Sequence, residues 1–327
     1  MIHIVILNWN GAAMMQRFLP SVVANSPETH IVVADNGSTD NSVTLLRQDF
    51  TNVELLELGQ NWGFAEGYNQ ALSRIVWAEG DYFLLLNNDV EVSAGWLTPL
   101  LHYMDAHRDV AACQPKIRSH ADPTRLEYAG AAGGFIDRLG YPYCRGRVLN
   151  SVEEDHGQYD DTVDIFWATG AALMIRCEVY HRVGGLDGRF FAHQEEIDLC
   201  WRLRSRGYGI VCVPESVVYH VGGGTLAKEN PRKTFLNFRN NMLLLYKNLP
   251  QRELWWVMTL RLGLDAAASL LFVLKGEWRS AHAVWQGRRA FLRMRRDFKA
   301  DRRANLAATK VDSIPERRPW SVFLSRL

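Results

Sequence analysis

The 327 residues carry 37 Lys+Arg against 36 Asp+Glu, a formal charge of +1, with 47% hydrophobic and 22% charged side chains. That balance excludes a generally basic nucleic-acid binder and an acidic disordered chain, and it leaves ample apolar material for one large domain or two modest ones. The total hides an asymmetry: residues 1–250 carry 21 basic and 29 acidic side chains, 251–274 two of each, and 275–327 carry 14 basic and 5 acidic. An acidic body with a basic tail points to a surface-binding C-terminal segment.

Met1–Leu7 lacks a basic n-region and turns polar at Asn8, so it reads as a strand rather than a signal peptide, and the body is expected in the cytoplasm. Ile2–Leu7, Ile31–Ala34, Val53–Leu58 and Tyr82–Leu86 are short apolar runs, and Ala12–Asn25, Ser42–Gln48 and Phe64–Trp77 between them have helical patterning. This alternation predicts βαβ units and a mostly parallel sheet. Ligands of such sheets bind outside the carboxyl ends of the strands. The polar signals fall there: Asn8-Trp9-Asn10-Gly11, Asp35 to Asp40, Asn61-Trp62-Gly63 and Asn87-Asn88-Asp89.

Residues 110–165 read as loops and an antiparallel extension over the site, and Phe166–Ile175 as a further buried strand. Glu195–Arg206 reads as a helix, and Gly209–Pro214 and Val217–His220 as two short strands. The pattern past residue 250 is helical and rich in Trp and Arg, which sets a boundary between a body of residues 1–250 and an extension of residues 251–327. Cys113, Cys144, Cys177, Cys200 and Cys212 are odd in number, widely spaced and without C-x-x-C, which predicts buried free thiols in a reducing compartment.

Three constellations carry chemistry. Asp89, behind a buried strand, has the position of a carboxylate for Mg²⁺ or Mn²⁺, or of an ordinary turn. Glu195 and Glu196 open a helix, where acidic residues complement the dipole and Asp198 can pair with Arg202. Two adjacent carboxylates flanked by aromatics also make one a candidate general base. His220 ends a strand before Gly222-Gly223-Gly224-Thr225, placed to reach a diphosphate or its metal, although no Walker motif follows.

In the tail, Arg261 and Asp265 interrupt the apolar residues, and the longest uncharged run is nine, short of a spanning helix. Trp255, Trp256, Trp278, Trp285 and Trp320 lie among Arg288, Arg289, Arg293, Arg295, Arg296, Arg302 and Arg303, a composition suited to an anionic membrane surface or to a helical appendage with a solvated face. The body offers no motif for reading nucleic acid.

The ordered motifs IVILNWNG, VVADNGSTDNS, NWGFAEGYN, LLLNNDVEV, GGLDGRFFAHQEEIDLCWR and VVYHVGGGT resemble the family-2 glycosyltransferases of GT-A fold, in particular their rhamnosyltransferase-like branch. The resemblance covers roughly residues 1–250. It implies metal-dependent, inverting transfer of a sugar from a nucleoside diphosphate to a hydroxyl of a glycan or lipid-linked acceptor, in bacterial surface polysaccharide synthesis. Carried over by residue, Asn8, Asn10, Asp35, Asn61, Gly63, Asn69 and Asn88 would hold the nucleotide sugar. Asp89, Asn87 and His220 would form the metal site, Glu196 would be the base with Glu195 beside it, and Trp167 and Gly170 would face the acceptor. Asn87 replaces the first Asp of the family's D-x-D, which removes one anionic ligand. Glu195-Glu196 replaces the usual Glu-Asp, which lengthens the base by a methylene. A nucleotidyltransferase is discounted because no basic phosphate loop follows the first strand. A non-catalytic membrane-bound scaffold is opposed by the joint presence of Asp89, Glu195, Glu196 and His220.

Overall fold

The computed structural model describes residues 1–148, 151–222 and 230–310. Strands β1 (Ile2–Asn8), β2 (His30–Asp35), β3 (Glu54–Glu57) and β4 (Tyr82–Leu86) alternate with helices α1 (Ala12–Asn25), α2 (Ser42–Asp49) and α3 (Gly63–Leu72). This is the expected βαβ order, except that α3 stops at Leu72 instead of Trp77. The Ser73 and Arg74 N–H groups bond back to Asn69 and Ala71 and close the helix, while Ile75 drops into the core. The strands pair in parallel in the order β4-β1-β2-β3, with Asn8 opposite Asp35 at the carboxyl ends. One edge of the sheet therefore carries Asn8, Asp35 and Asn87.

After β5 (Val90–Val92) and α4 (Leu97–Ala106), the sheet continues through a strand that the sequence disguises. β6 (Val110–Ser119), expected among loops, is an inner strand between β12 (Ala172–Arg176) and β13 (Gly209–His220). Its Gln114 and Lys116 are buried, Lys116 paired with Asp155 at 2.9 Å. β12 reaches β6 only through Ala112 and Cys113, so Pro115 forfeits no ladder bond on that side. The buried run at 166–175 is a strand only from Ala172, and the two expected strands at 209–220 are one, β13, bulged between Val213 and Val217. β7 (Gly134–Ile136), β8 (Pro142–Cys144), β9 (Arg147–Val148) and β10 (Ser151–Val152) form the small antiparallel extension, and β11 (Val163–Asp164) edges the main sheet. β13 is parallel to β6, and both β6 and β4 are antiparallel to β12, so His220 ends at the same edge as Asn87.

Helices α5 (Cys177–Arg182), α6 (Glu195–Ser205), α7 (Pro231–Asn248), α8 (Gln251–Leu274), α9 (Trp278–Met294) and α10 (Lys299–Ala307) complete the described chain, with a 3-10 turn at Gly188–Phe190. Leu254, Val257, Phe291 and Phe298 join the same buried cluster as Phe83 and Leu85 of the sheet and Leu243–Leu245 of α7. The helices after residue 250 thus finish a core that the body begins. All five cysteines are free and buried.

Helix α6 is fixed on α7 by one carboxylate. Asp198 is fully buried and accepts from Arg202 Nε at 2.9 Å, Lys247 Nζ at 2.8 Å and Asn248 Nδ2 at 2.9 Å. Burial alone would raise its pKa, but Lys247 and Arg202 hold it below the usual carboxylate range, so this stabilisation is present above that range and is lost in acid. Asp198→Asn leaves the buried Arg202 without its carboxylate and Lys247 with Asp187 alone, at 2.7 Å, and should cost about 3–5 kcal/mol. Calorimetry should show the midpoint falling by on the order of 10 °C.

Candidate active site

At the carboxyl edge three loops are knitted together by amides. Asn8 is fully buried; its Nδ2 donates to Asp35 Oδ1 at 3.4 Å and Ser38 Oγ at 3.3 Å, and its Oδ1 accepts from Asn88 Nδ2 at 3.2 Å. A Cβ at Gly11 would lie 2.3 Å from Asn8 Oδ1 and 2.4 Å from Asn88 Nδ2, so only glycine lets these amides meet. Asn10, at φ +50°, accepts the Thr39 N–H at 2.7 Å, and Asp35 Oδ2 accepts the Ser38 N–H at 3.0 Å. Asn61 Oδ1 accepts the Gly63 N–H at 2.8 Å, and the buried Asn36 holds the same loop from the side by donating to Gly63 O at 3.0 Å. Trp9 and Trp62 stay exposed beside these loops.

The second group lies where β13 meets the turn after β4. His220 Nε2 is 3.0 Å from Asp89 Oδ1 and 3.3 Å from Asn87 Nδ2, and its Nδ1 is 3.5 Å from Glu127 Oε2. Burial by itself would lower the imidazole, but Asp89 and Glu127 push it up to about 10, so it is a cation between two carboxylates. Among the described residues no three His, Cys, Asp or Glu side chains converge as metal ligands. Gly222 approaches Glu127 so closely that a Cβ would lie 2.6 Å from Oε1, while Gly223 to Thr225 lie outside the described residues.

The third group is the loop into α6. Phe191, His193 and Gln194 have φ of +68°, +70° and +70°, a left-handed run that costs energy in non-glycine residues. Helix α7 holds it. Asn240 Nδ2 reaches the carbonyls of Phe190 (3.0 Å), Ala192 (2.8 Å) and His193 (2.7 Å), and Arg239 donates to Phe190 O at 2.7 Å. Asn241 Nδ2 donates to Gln194 Oε1 at 3.0 Å, and its own Oδ1 accepts from Arg261 of α8. The second and third N–H groups of α3, of Phe64 and Ala65, both bond to Phe191 O.

This loop presents unmet polar groups. Among the described residues, His193 Nε2, Glu195 Oε2 and Glu196 Oε2 are buried with no hydrogen-bond partner. Burial raises both glutamates, Glu195 further through the charge of Glu196, and lifts Glu196 to about 7; it lowers His193 to about 4, which leaves that imidazole neutral. A neutral imidazole and two poorly solvated carboxyls suit a polar ligand that exchanges a proton.

Asn69 donates to the Leu186 carbonyl at 2.7 Å and accepts its N–H at 3.1 Å as well as the Tyr180 hydroxyl at 2.7 Å, so it braces the 184–187 turn. Trp167 is buried, with its indole N–H donated to Phe135 O at 2.8 Å. Gly170 does reach the site, packed beneath the Phe64 ring, and the Asn87 N–H bonds to neighbouring Ala171 O at 3.0 Å. Sequence reasoning missed Glu127, Asn240, Asn241 and His193. Only His193 had a local signal, since it stands two residues before the glutamates; the others are brought in by elements remote along the chain.

Residues 3–184 match Glycosyl transferase family 2. The chain belongs to that family. It is 25% identical over 283 residues, 82% of its length and 90% of the relative's, to an N-acetylglucosaminyl-diphospho-decaprenol L-rhamnosyltransferase of Mycobacterium tuberculosis. It is 24% identical over 226 residues, 67% of its length and 83% of the relative's, to the rhamnosyltransferase WbbL of Escherichia coli. Among solved structures it resembles the mannosyltransferase PcManGT of Pyrobaculum calidifontis, in complex with GDP-Man and Mn²⁺. There the TM-score is 0.52 at 15% identity, over 97% of this chain and 88% of that one. The fold is GT-A with a C-terminal helical extension, and the protein is a rhamnosyltransferase-like glycosyltransferase.

The left-handed loop depends on Asn240. Asn240→Ala removes its bonds to three carbonyls and should lower kcat by roughly 10–100-fold through misplacement of α6. The KM for the nucleotide sugar should stay near its wild-type value, because the loops of Asn8, Asn10 and Asp35 are tied to one another and not to Asn240. A steady-state kcat against KM comparison checks this, and a variant that loses both equally would place Asn240 with donor binding.

Proposed function

We propose that this enzyme transfers a sugar from a nucleoside diphosphate, with inversion, to a hydroxyl of a lipid-linked glycan during bacterial surface polysaccharide synthesis. The observation that supports the reading is that Glu195 and Glu196, at the start of α6, each hold one buried carboxyl oxygen with no hydrogen-bond partner among the described residues. Asn8, Asn10, Asp35, Asn61, Gly63 and Asn88 would receive the nucleotide sugar, with Asp35 on the base. Glu196 takes the proton from the acceptor hydroxyl, and Glu195 beside it is held towards its neutral form by burial and by the charge of Glu196. Gly170 leaves room on the acceptor side.

A divalent cation fits this edge in chemistry. His220 Nε2 lies 3.0 Å from the Asp89 carboxylate and 3.3 Å from the Asn87 amide nitrogen, so a carboxylate, an amide and an imidazole would make a donor set for Mg²⁺ or Mn²⁺ once His220 gives up its proton and the Asn87 amide turns its oxygen inward. Such an ion would supply positive charge to the leaving diphosphate. His220 in its charged form offers the same sign of charge to the donor when no ion is bound.

The lipid-linked acceptor places the protein at a membrane. Residues 251–310 keep Arg289, Arg293, Arg295, Arg296 and Arg303 exposed, whereas Arg288 pairs with Asp265 and Arg302 donates to Leu249 O at 2.7 Å. With Arg252 and Arg279 these make seven exposed arginines, which together with four exposed tryptophans (Trp255, Trp256, Trp278 and Trp285) suit an anionic surface and support a peripheral position on the inner face of the cytoplasmic membrane. Trp320 lies outside the described residues.

Glu196→Gln should lower transfer by about 10²–10⁴-fold while leaving donor binding intact. Single-turnover transfer and a donor thermal-shift titration with Mn²⁺ check the two halves, and near-wild-type turnover would remove Glu196 from the role of base. Because Glu196 must be ionised to act and its pKa is lifted to about 7, the wild-type rate should rise with pH and level off above about 7. A rate already flat from pH 5 would contradict the assignment.

A further inference from the structure

The sequence shows Arg261 and Asp265 breaking an apolar stretch, but the structure puts both on the buried side of α8. The buried stripe of this helix is Leu254, Val257, Arg261, Asp265 and Ser269. Arg261 donates to Leu139 O at 3.0 Å and to Asn241 and lies over the Tyr141 ring, and Asp265 pairs with Arg288 of α9. The outward side is the apolar one: Trp255 is 72% exposed, Leu260 52%, Leu270 58% and Leu274 73%, joined by Trp256, Leu262 and Leu271. Between Arg252 and Lys275, both exposed, no exposed residue of α8 is charged. A water-facing helix has the opposite arrangement. By length and composition alone α8 is long and apolar enough to cross a membrane.

Crossing conflicts with its packing. α8 would have to withdraw Arg261 and Asp265 from their buried partners into hydrocarbon. It would also pull at α9, which lies against α7 so closely that a Cβ at Gly287 would be 3.1 Å from Arg239 N and from Phe235 O. α9 carries exposed Arg279, Arg289 and Arg293, which hydrocarbon rejects. We infer that α8 lies in the plane of an anionic bilayer, with Trp255, Trp256, Leu260, Leu262, Leu270, Leu271 and Leu274 in the boundary between headgroups and acyl chains, and does not span it. The cations at its two ends, Arg252 and Lys275, sit at headgroup level on the same side, as the charge of an anionic leaflet favours. The inference rests on the membrane reading above and names the face that carries it. Through Arg261 and Asn241 this face is tied to Gln194, next to the catalytic carboxyls.

The test uses the full chain, because α8 to α10 share the core and a truncation would uncover it. Flotation with phosphatidylcholine–phosphatidylglycerol vesicles is compared for wild type, Leu260→Asp/Leu270→Asp and Arg289→Gln/Arg293→Gln. Far-UV dichroism, the thermal midpoint and donor binding verify that each variant is folded. The double Asp variant should bind vesicles at least ~10-fold more weakly. Brominated acyl chains should quench wild-type fluorescence, and less so in Trp255→Phe/Trp256→Phe. An impermeant maleimide added outside preformed vesicles should label both Arg252→Cys and Lys275→Cys, against the silent background of five buried cysteines. Protection of one end would show a crossing helix and overturn the inference. Unchanged binding of the double Asp variant, with loss in the Arg variant, would overturn it while leaving the membrane reading intact. A lipid-free dimer that Leu260→Asp/Leu270→Asp converts to monomer would assign the face to a second copy of the chain. No wild-type binding at all would end both readings.

Discussion

Everything the active-site helix does depends on a stretch of backbone that non-glycine residues avoid. Phe191, His193 and Gln194 all have positive φ, and nothing in their own side chains favours it. The compensation comes from α7, whose buried Asn240 gathers three carbonyls of the loop and whose Asn241 holds Gln194. With the loop so held, α6 starts at Glu195 with two carboxyl oxygens in a dry pocket. Strain of this kind persists only where the surroundings over-determine it, and here they do so with the amides of Asn240 and Asn241 and the guanidinium of Arg239.

The same division between holding and reacting runs through the sheet edge. Asn8, Asn10, Asn36 and Asn61 are occupied in tying three strand-end loops to one another. The charged groups, by contrast, are grouped in opposition: His220 between Asp89 and Glu127, and Asp198 between Arg202 and Lys247. The first arrangement leaves a cation facing the place where a diphosphate would develop charge. The second is sealed in the core and serves only to pin α6 on α7. Burial is equally deep in both, so what separates a working ion pair from a structural one is whether it sits at the carboxyl edge of the sheet.

Helix α8 inverts the usual relation between charge and water, and that inversion joins the two ends of the molecule. The near-zero total charge conceals a basic extension, but the extension is not a loose appendage. Its arginines are divided between those that complete the core, Arg261, Arg288 and Arg302, and those that remain in solvent. The outward side of α8 is consequently apolar because its charged residues are already satisfied inside.

The sequence by itself determined the βαβ half of the fold, the sheet edge where the site lies, and the positions of Asp35, Asp89, Glu195, Glu196 and His220 along it. Those are local matters: apolar runs make strands, and the strand-end rule places whatever polar residues follow them. β6 stayed hidden because Gln114, Pro115 and Lys116 look like loop until Asp155 and the neighbouring strands supply their partners. The bonds of Asn69 to Leu186 and of Trp167 to Phe135 were equally invisible, since a motif position does not reveal a side chain's tertiary partner. Only the tertiary structure decided the left-handed loop, the Asn240 and Asn241 clamp, Glu127 behind His220 and the direction in which α8 turns its charges. Each of these requires two segments far apart in the chain to meet, and periodicity along one segment carries no record of the other.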